Sequence, residues 1–149
     1  MEKFPEFALE NQNGTVITNK DLDGVTIIYF YPKDNTPGCT TQACDLRDNM
    51  DDLNSLNVTV YGVSGDSKRK HQNFIEKQNL NFDLLVDEDF KLSGELDVYK
   101  LKKVFGKESM GIVRTTFIVD KDSNILKRFD NVKAKEHIND VKEFLNEVG

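Results

Sequence analysis

Apolar positions along the chain fall into short runs separated by polar turns, and the runs show two different spacings. Val25-Thr26-Ile27-Ile28-Tyr29-Phe30-Tyr31 is an unbroken β-branched and aromatic run, the pattern of a strand covered on both faces. Val58–Val63, Phe82–Val86, Ile112–Val119 and Ile125–Phe129 read as further strands. The last two flank the turn Asp120-Lys121-Asp122-Ser123-Asn124 and predict an antiparallel hairpin. Near the start, Phe7–Glu10 and Thr15–Ile17 flank Asn13-Gly14, a hairpin signal because that turn type needs positive φ.

Helical spacing appears in four places. Cys39, Ala43, Leu46, Met50 and Leu53 recur at steps of four, three, four and three, which predicts a helix from about Cys39 to Leu53. Ser67 to about Gln78 reads as a helix in which only Phe74 and Ile75 are clearly apolar. A short helix is expected around Phe90–Leu96. Lys135–Val148 closes the chain as an amphipathic helix with the stripe Ile138, Val141, Leu145 and Val148. Strands alternating with helices imply an α/β fold, a central sheet with helices on both faces, and the terminal hairpin makes the sheet mixed. This is the order expected of a thioredoxin-like fold carrying an N-terminal β-hairpin.

The chain has 149 residues and no internal repeat, low-complexity tract or linker, so one domain over residues 1–149 is expected. Asp and Glu outnumber Lys and Arg by 26 to 20, a formal charge of −6. Nucleic acid is then a poor partner, since phosphate binding needs clustered positive charge. No stretch approaches the ~20 apolar residues of a membrane helix. Met1–Glu6 lacks the basic-then-apolar pattern of a secretory signal. The expectation is a cytoplasmic protein in a reducing compartment.

Two cysteines change the picture. Cys39 and Cys44 lie far in sequence from His71 and His137, so the four do not spell a zinc site. A bridge across so few residues would remove little unfolded-chain entropy. The choice is between plain burial and redox chemistry. Cys39 falls just past a buried strand, in the first turn of a helix, where open α/β sheets place their sites. Unsatisfied first-turn amides and the positive end of the helix dipole favour a thiolate there. Free cysteine is commonly a small core residue. Thr36-Pro37-Gly38 argues against that reading, because Gly38 leaves space beside the sulfur. In an intact helix five residues rise ~7.5 Å, so the two Cα atoms lie roughly 8.5 Å apart, beyond disulfide reach. The cysteines either never bond or bond only when the helix unwinds.

Arg114 stands in an otherwise uncharged strand, Gly111–Val119. Burying a charge is costly unless it is paired. Either Arg114 points into water from an edge, or its guanidinium lies beside Cys39 and stabilises charge on sulfur and on a leaving oxygen.

The segment Phe30–Asp48, FYPKDNTPGCTTQACDLRD, resembles the active-site segment of peroxiredoxins, and more narrowly the bacterioferritin comigratory protein or peroxiredoxin Q group. The family pattern Pro-x-x-x-Thr-x-x-Cys is met by Pro32, Thr36 and Cys39, and the step to Cys44 is typical of the group's atypical two-cysteine members. The likeness continues through Gly62–Ser67, His71–Phe74, Leu84–Asp89 and Gly106–Asp120. Tyr99 and Ser109 stand where many members carry Trp and Tyr.

The resemblance implies a thiol-dependent peroxidase acting on hydrogen peroxide and organic hydroperoxides. Cys39 would attack the peroxide as thiolate and become a sulfenic acid. Thr36 and Arg114 would orient the peroxide, and Pro32 would shield the site. Cys44 would then close an internal Cys39–Cys44 disulfide, recycled by thioredoxin or a similar dithiol protein. No metal, haem, flavin or other cofactor is implied. A monomer is expected, because an intramolecular bridge needs no second subunit. Gln42 either steadies Arg114 or is solvated. His71 is read as a helix-surface or packing residue, and His137 as solvent-facing. The competing readings are a non-catalytic redox sensor or holdase and a thiol–disulfide oxidoreductase. The latter would want Cys-x-x-Cys, which the spacing here denies.

Overall fold

In the computed structural model, which describes residues 2–148, the chain opens with a hairpin of β1 (Ala8–Glu10) and β2 (Val16–Thr18). The turn falls at Asn13-Gly14, but only Gly14 takes a positive φ, 81°. The expected turn type is therefore not the one formed. Asn11 organises the loop instead, its Oδ1 accepting from the amides of Asn13 and Thr15.

A short 3-10 turn, Asn19–Asp21, leads into the remaining elements: β3 (Val25–Phe30), α1 (Pro37–Asp48), α2 (Met50–Ser55), β4 (Val58–Ser64), α3 (Lys68–Gln78), β5 (Asp83–Val86), α4 (Lys91–Glu95), β6 (Tyr99–Val104), β7 (Lys107–Ile112), β8 (Thr115–Asp120), β9 (Ile125–Phe129) and α5 (His137–Val148). Five strands make one sheet in the order β5-β4-β3-β8-β9. β3, β4 and β5 run parallel, and β8 and β9 are antiparallel, so the sheet is mixed as expected.

β3 explains the layering. Side chains of a strand alternate between faces. Ile27, Tyr29 and Tyr31 join a core with Cys39, Ala43 and Leu46 of α1, Met50 and Leu53 of α2, Phe74 of α3, and Ile138, Val141 and Leu145 of α5. Ile28 and Phe30 face the opposite way, against Phe4, Phe7, Ile17, Leu92 and Leu96. Four helices thus cover one face; α4 and the N-terminal hairpin cover the other. The expected stripe of α5 is buried through Leu145, and the side chain of Val148 lies outside the described residues.

Two expectations are corrected, and one element is unforeseen. The single helix over 39–53 is two, broken at Asn49 (φ −107°, ψ 8°), whose Nδ2 bonds the Asp45 carbonyl at 2.7 Å. Met50 and Leu53 still face the same core, so the apolar period survives a break that it cannot reveal. β6 and β7 form a separate antiparallel hairpin that the hydrophobic pattern missed. Its turn residues Phe105 and Gly106 both have positive φ, 52° and 81°. Lastly, the expected strand Ile112–Val119 is interrupted at residues 113–114. There the Val113 amide bonds the Val98 carbonyl at 2.8 Å and the Arg114 carbonyl accepts from the Val132 amide at 3.0 Å. Arg114 therefore sits at a junction between strands rather than within one.

Candidate active site

The C-terminal end of β3 delivers the chain into the site, with the Tyr31 amide bonded to the Val63 carbonyl. Thr36 is the N-cap of α1 and Pro37 its first residue, a position where the missing N–H costs nothing. Cys39 follows in the first turn, 1% exposed. The first intrahelical bond runs from the Thr40 amide to the Thr36 carbonyl, leaving the Cys39 amide among the unpaired donors of the helix start. Both cysteines are free.

Arg114 reaches this turn from the far end of the sequence. Its Nη1 lies 3.1 Å from Cys39 Sγ and 2.9 Å from Gln42 Oε1. Nη1 carries two hydrogens, so one serves the sulfur and one the amide. The alternative of an edge arginine pointing into water is excluded. Gly38 supplies the room: a Cβ there would stand 2.7 Å from Arg114 Nη2. The space expected beside the sulfur is filled by the guanidinium.

Gln42 is fully buried and touches the arginine, so it is not a solvated helix residue. Its Nε2 lies 3.2 Å from His137 Nδ1, and His137 Nε2 lies 2.8 Å from Thr116 Oγ1. His137 is 1% exposed, which corrects the solvent-facing expectation. The sequence does carry the signal: His137 leads Val141 and Leu145 at helical spacing, on the buried stripe of α5. Burial, and next the Arg114 charge, push its pKa down to about 4.

A second polar cluster lies under the loop before Cys39. Asp34 is buried; it accepts from the Tyr31 hydroxyl, and its Oδ2 lies 2.6 Å from His71 Nδ1. His71 Nε2 faces the Leu85 carbonyl at 2.9 Å, so this nitrogen carries a hydrogen. The Asp34 amide donates to Asp66 Oδ2 at 2.7 Å, and Ser64 Oγ donates to the same carboxylate. His71 is thus a packed residue and not a surface one. Asp34, Asp66 and Ser64 give no sign in the sequence, because buried polar partners across loops follow no period.

Thr36 and Pro32 are half-buried, Thr36 as the N-cap of the helix that carries Cys39 and Pro32 on the loop just past β3. The Thr36 hydroxyl donates to the Lys33 carbonyl at 2.9 Å, not to the sulfur, which leaves its oxygen open as an acceptor. Lys102, also unforeseen, bonds the Ile112 carbonyl through Nζ at 2.9 Å. Burial and the Arg114 charge lower its pKa. Cys44 is half-buried, and its thiol donates to Gln78 Oε1 at 3.5 Å.

Arg114, Gln42 and Cys39 are therefore brought together, Thr36 caps the helix that carries Cys39, Pro32 lies on the loop before it, and Cys44 is held by Gln78. A buried sulfur at a helix start, with a guanidinium against it and a hydroxyl oxygen free to accept at the helix N-cap, can act as a nucleophile toward a small polar oxidant. Among the described residues, no group of three or more His, Cys, Asp or Glu is placed to hold a metal ion, and no helix is long and apolar enough to cross a membrane.

The chain matches the AhpC/TSA family over residues 1–128. It is 46% identical over 148 residues to peroxiredoxin Bcp of Bacillus subtilis, covering 99% of this chain and 94% of that one. The corresponding Escherichia coli peroxiredoxin Bcp is 43% identical, with 96% and 92% covered. Among solved structures, a mutant of Xanthomonas campestris peroxiredoxin Q superposes with a TM-score of 0.89 at 35% identity, over 96% of this chain and 92% of that one. The bacterioferritin comigratory protein of the same organism, described for its alkyl peroxide reduction activity, gives 0.88 at 34% identity, with 95% and 90% covered. Sequence, fold and the cysteine turn agree: the chain belongs to the AhpC/TSA family and, within it, to the Bcp or peroxiredoxin Q peroxiredoxins, which are thiol-dependent peroxidases.

Proposed function

We propose that Cys39 is the peroxidatic sulfur of this enzyme and Cys44 its resolving partner. The observation that carries the assignment is the 3.1 Å contact between Arg114 Nη1 and the buried Cys39 Sγ. In the reaction the Cys39 thiolate attacks the terminal oxygen of a hydroperoxide. A sulfur–oxygen bond forms, the oxygen–oxygen bond breaks, and the electron pair leaves on the second oxygen, which takes a proton to give water or an alcohol. Arg114 and the unpaired Cys39 amide face the charge that develops on the oxygens, in a site shielded from bulk water. Thr36, its own hydrogen engaged by Lys33, accepts the hydrogen bond of the incoming hydroperoxide. Pro32 walls off the mouth.

Cys39 is then a sulfenic acid. Cys44, as thiolate, attacks its sulfur; the sulfur–sulfur bond forms, the sulfur–oxygen bond breaks, and the departing hydroxide takes a proton to leave as water. The Cα separation of roughly 8.5 Å in an intact helix requires that the first turns of α1 open for this step. A thioredoxin-type dithiol reduces the bridge. The substrates are hydrogen peroxide and organic hydroperoxides, no cofactor takes part, and the working unit is a monomer of one domain, residues 1–149, in the reducing cytoplasm. The two core clusters share one sheet, which supports the single domain. No observation favours a pure sensor or a thiol–disulfide oxidoreductase.

Peroxide consumption driven by thioredoxin, its reductase and NADPH tests the assignment. Turnover is expected to vanish in Cys39→Ser; persistence would remove Cys39 from the role.

A further inference from the structure

We propose that His137 is a positioning residue for the peroxide step, acting through Gln42 to fix the guanidinium of Arg114 against Cys39. This rests on the reading of Cys39 as the reacting sulfur.

The proton accounting along the chain of contacts has one solution. Arg114 can only donate, so the Gln42 atom 2.9 Å from its Nη1 is the carbonyl oxygen. The Gln42 NH2 therefore faces His137 Nδ1 at 3.2 Å. An amide nitrogen donates, so Nδ1 must offer its lone pair. A neutral imidazole with Nδ1 bare carries its hydrogen on Nε2, where Thr116 Oγ1 lies 2.8 Å away and accepts it. Every bond in the line Arg114, Gln42, His137, Thr116 then has a donor and an acceptor. Reversing the histidine tautomer would set two N–H groups against each other, and relieving the clash by turning the Gln42 amide would present NH2 to a guanidinium.

Burial keeps the line intact. Gln42, His137 and Thr116 are at most 1% exposed, so water cannot replace a missing partner. The charged and titratable groups around His137 favour the same neutral form: Arg114 lies across Gln42, and the Tyr29 ring of β3 packs 5.7 Å from the imidazole. The Tyr29 hydroxyl is itself buried without a partner among the described residues and stays un-ionised. With its amide oriented, Gln42 occupies one hydrogen of Arg114 Nη1, and only the other is left for the sulfur.

Two measurements test this. Carbon-13 and nitrogen-15 shifts of the His137 ring in the reduced wild-type protein should report a neutral imidazole with Nδ1 bare and Nε2 protonated at neutral pH. An Nδ1–H tautomer or an imidazolium would overturn the proposal. Second, stopped-flow oxidation by hydrogen peroxide is compared in Thr116→Val, which removes the acceptor of His137 without changing side-chain shape, and in His137→Gln. Each should slow the peroxide step ~10-fold, the scale of one lost hydrogen bond to a charged network. Neither should slow it further in a Gln42→Leu background, because the effect passes through Gln42. Additive losses, or unchanged rates in both single variants, would show that His137 merely packs. Activity that survived Cys39→Ser would sink the peroxidatic reading, while the ring shifts test the His137 line independently of which sulfur reacts.

Discussion

The Cys44 thiol donates to the side-chain carbonyl of Gln78, while the backbone carbonyl of the same Gln78 accepts from Arg47 Nη1 at 2.6 Å. One residue at the end of α3 thus holds two points of α1. In the proposed cycle, disulfide closure breaks the first of these bonds. Gln78→Ala should speed the conversion of oxidised Cys39 to the disulfide ~5-fold, the weight of a single neutral hydrogen bond. Quenched-flow mass spectrometry after one equivalent of peroxide follows the bridge directly; an unchanged rate would mean that the contact does not restrain the helix.

Replacing Cys44, the proposed resolving sulfur, separates the two half-reactions. Cys44→Ser should retain the first oxidation of Cys39 and lose cycling through thioredoxin. Full cycling in that variant would assign the resolving role elsewhere.

Arg114→Ala removes the only side-chain donor seen at Cys39 Sγ among the described residues. The peroxide step should fall ~100-fold or more, as when a preorganised donor is deleted from an oxyanion site. The fold should survive, since Arg114 lies between strands. A circular dichroism melt beside the stopped-flow trace distinguishes the two effects.

Gly38→Ala tests the same contact from the other side. The added methyl would stand 2.7 Å from Arg114 Nη2, closer than such atoms come, so the guanidinium must shift. Alanine is a better helix former than glycine, so stability should not drop while the peroxide rate does. A rate equal to wild type would show that the guanidinium position is not critical.

His137 also links stability to pH. Its folded pKa, about 4, lies below its ordinary 6.5. Between these values the unfolded chain binds the proton and the folded one does not, so stability is fully present above about pH 6.5 and declines as pH falls toward 4. The loss is on the order of 3 kcal/mol across that window. Urea melts at neutral pH and near the lower end of the window should show it, and His137→Gln should reduce the difference. An equal difference in the variant would place its source in other groups.

What the sequence displays and what it hides divide along physical lines. Runs buried on both faces, such as β3, and stripes such as Ile138, Val141 and Leu145 are periodic because burial is periodic. The cysteine turn is legible because Pro37 and Gly38 each have a steric reason to precede Cys39. Arg114 is legible as a charge without a local partner. The β6–β7 hairpin is not, because its exposed Leu101, Phe105 and Met110 sit among lysines and show no inward face. A histidine is polar enough to be assigned to solvent, yet the place of His137 beside Val141 and Leu145 on an apolar stripe is the better guide. Asp34 and Asp66 are invisible, for what buries them is their pairing with each other and with His71 of α3, across segments far apart in the sequence.

Asp34 and Asn49 bracket the reactive stretch. Upstream, Asp34 is clamped by Tyr31, His71 and the Asp66 carboxylate; downstream, the helical course already ends at Asn49, and α2 stays anchored by Met50 and Leu53. Any unravelling between them is a slack loop pinned at both ends. In the proposed cycle the first turns of α1 can open and re-form while Leu46, Met50 and Leu53 keep the rest of the stretch seated in the core.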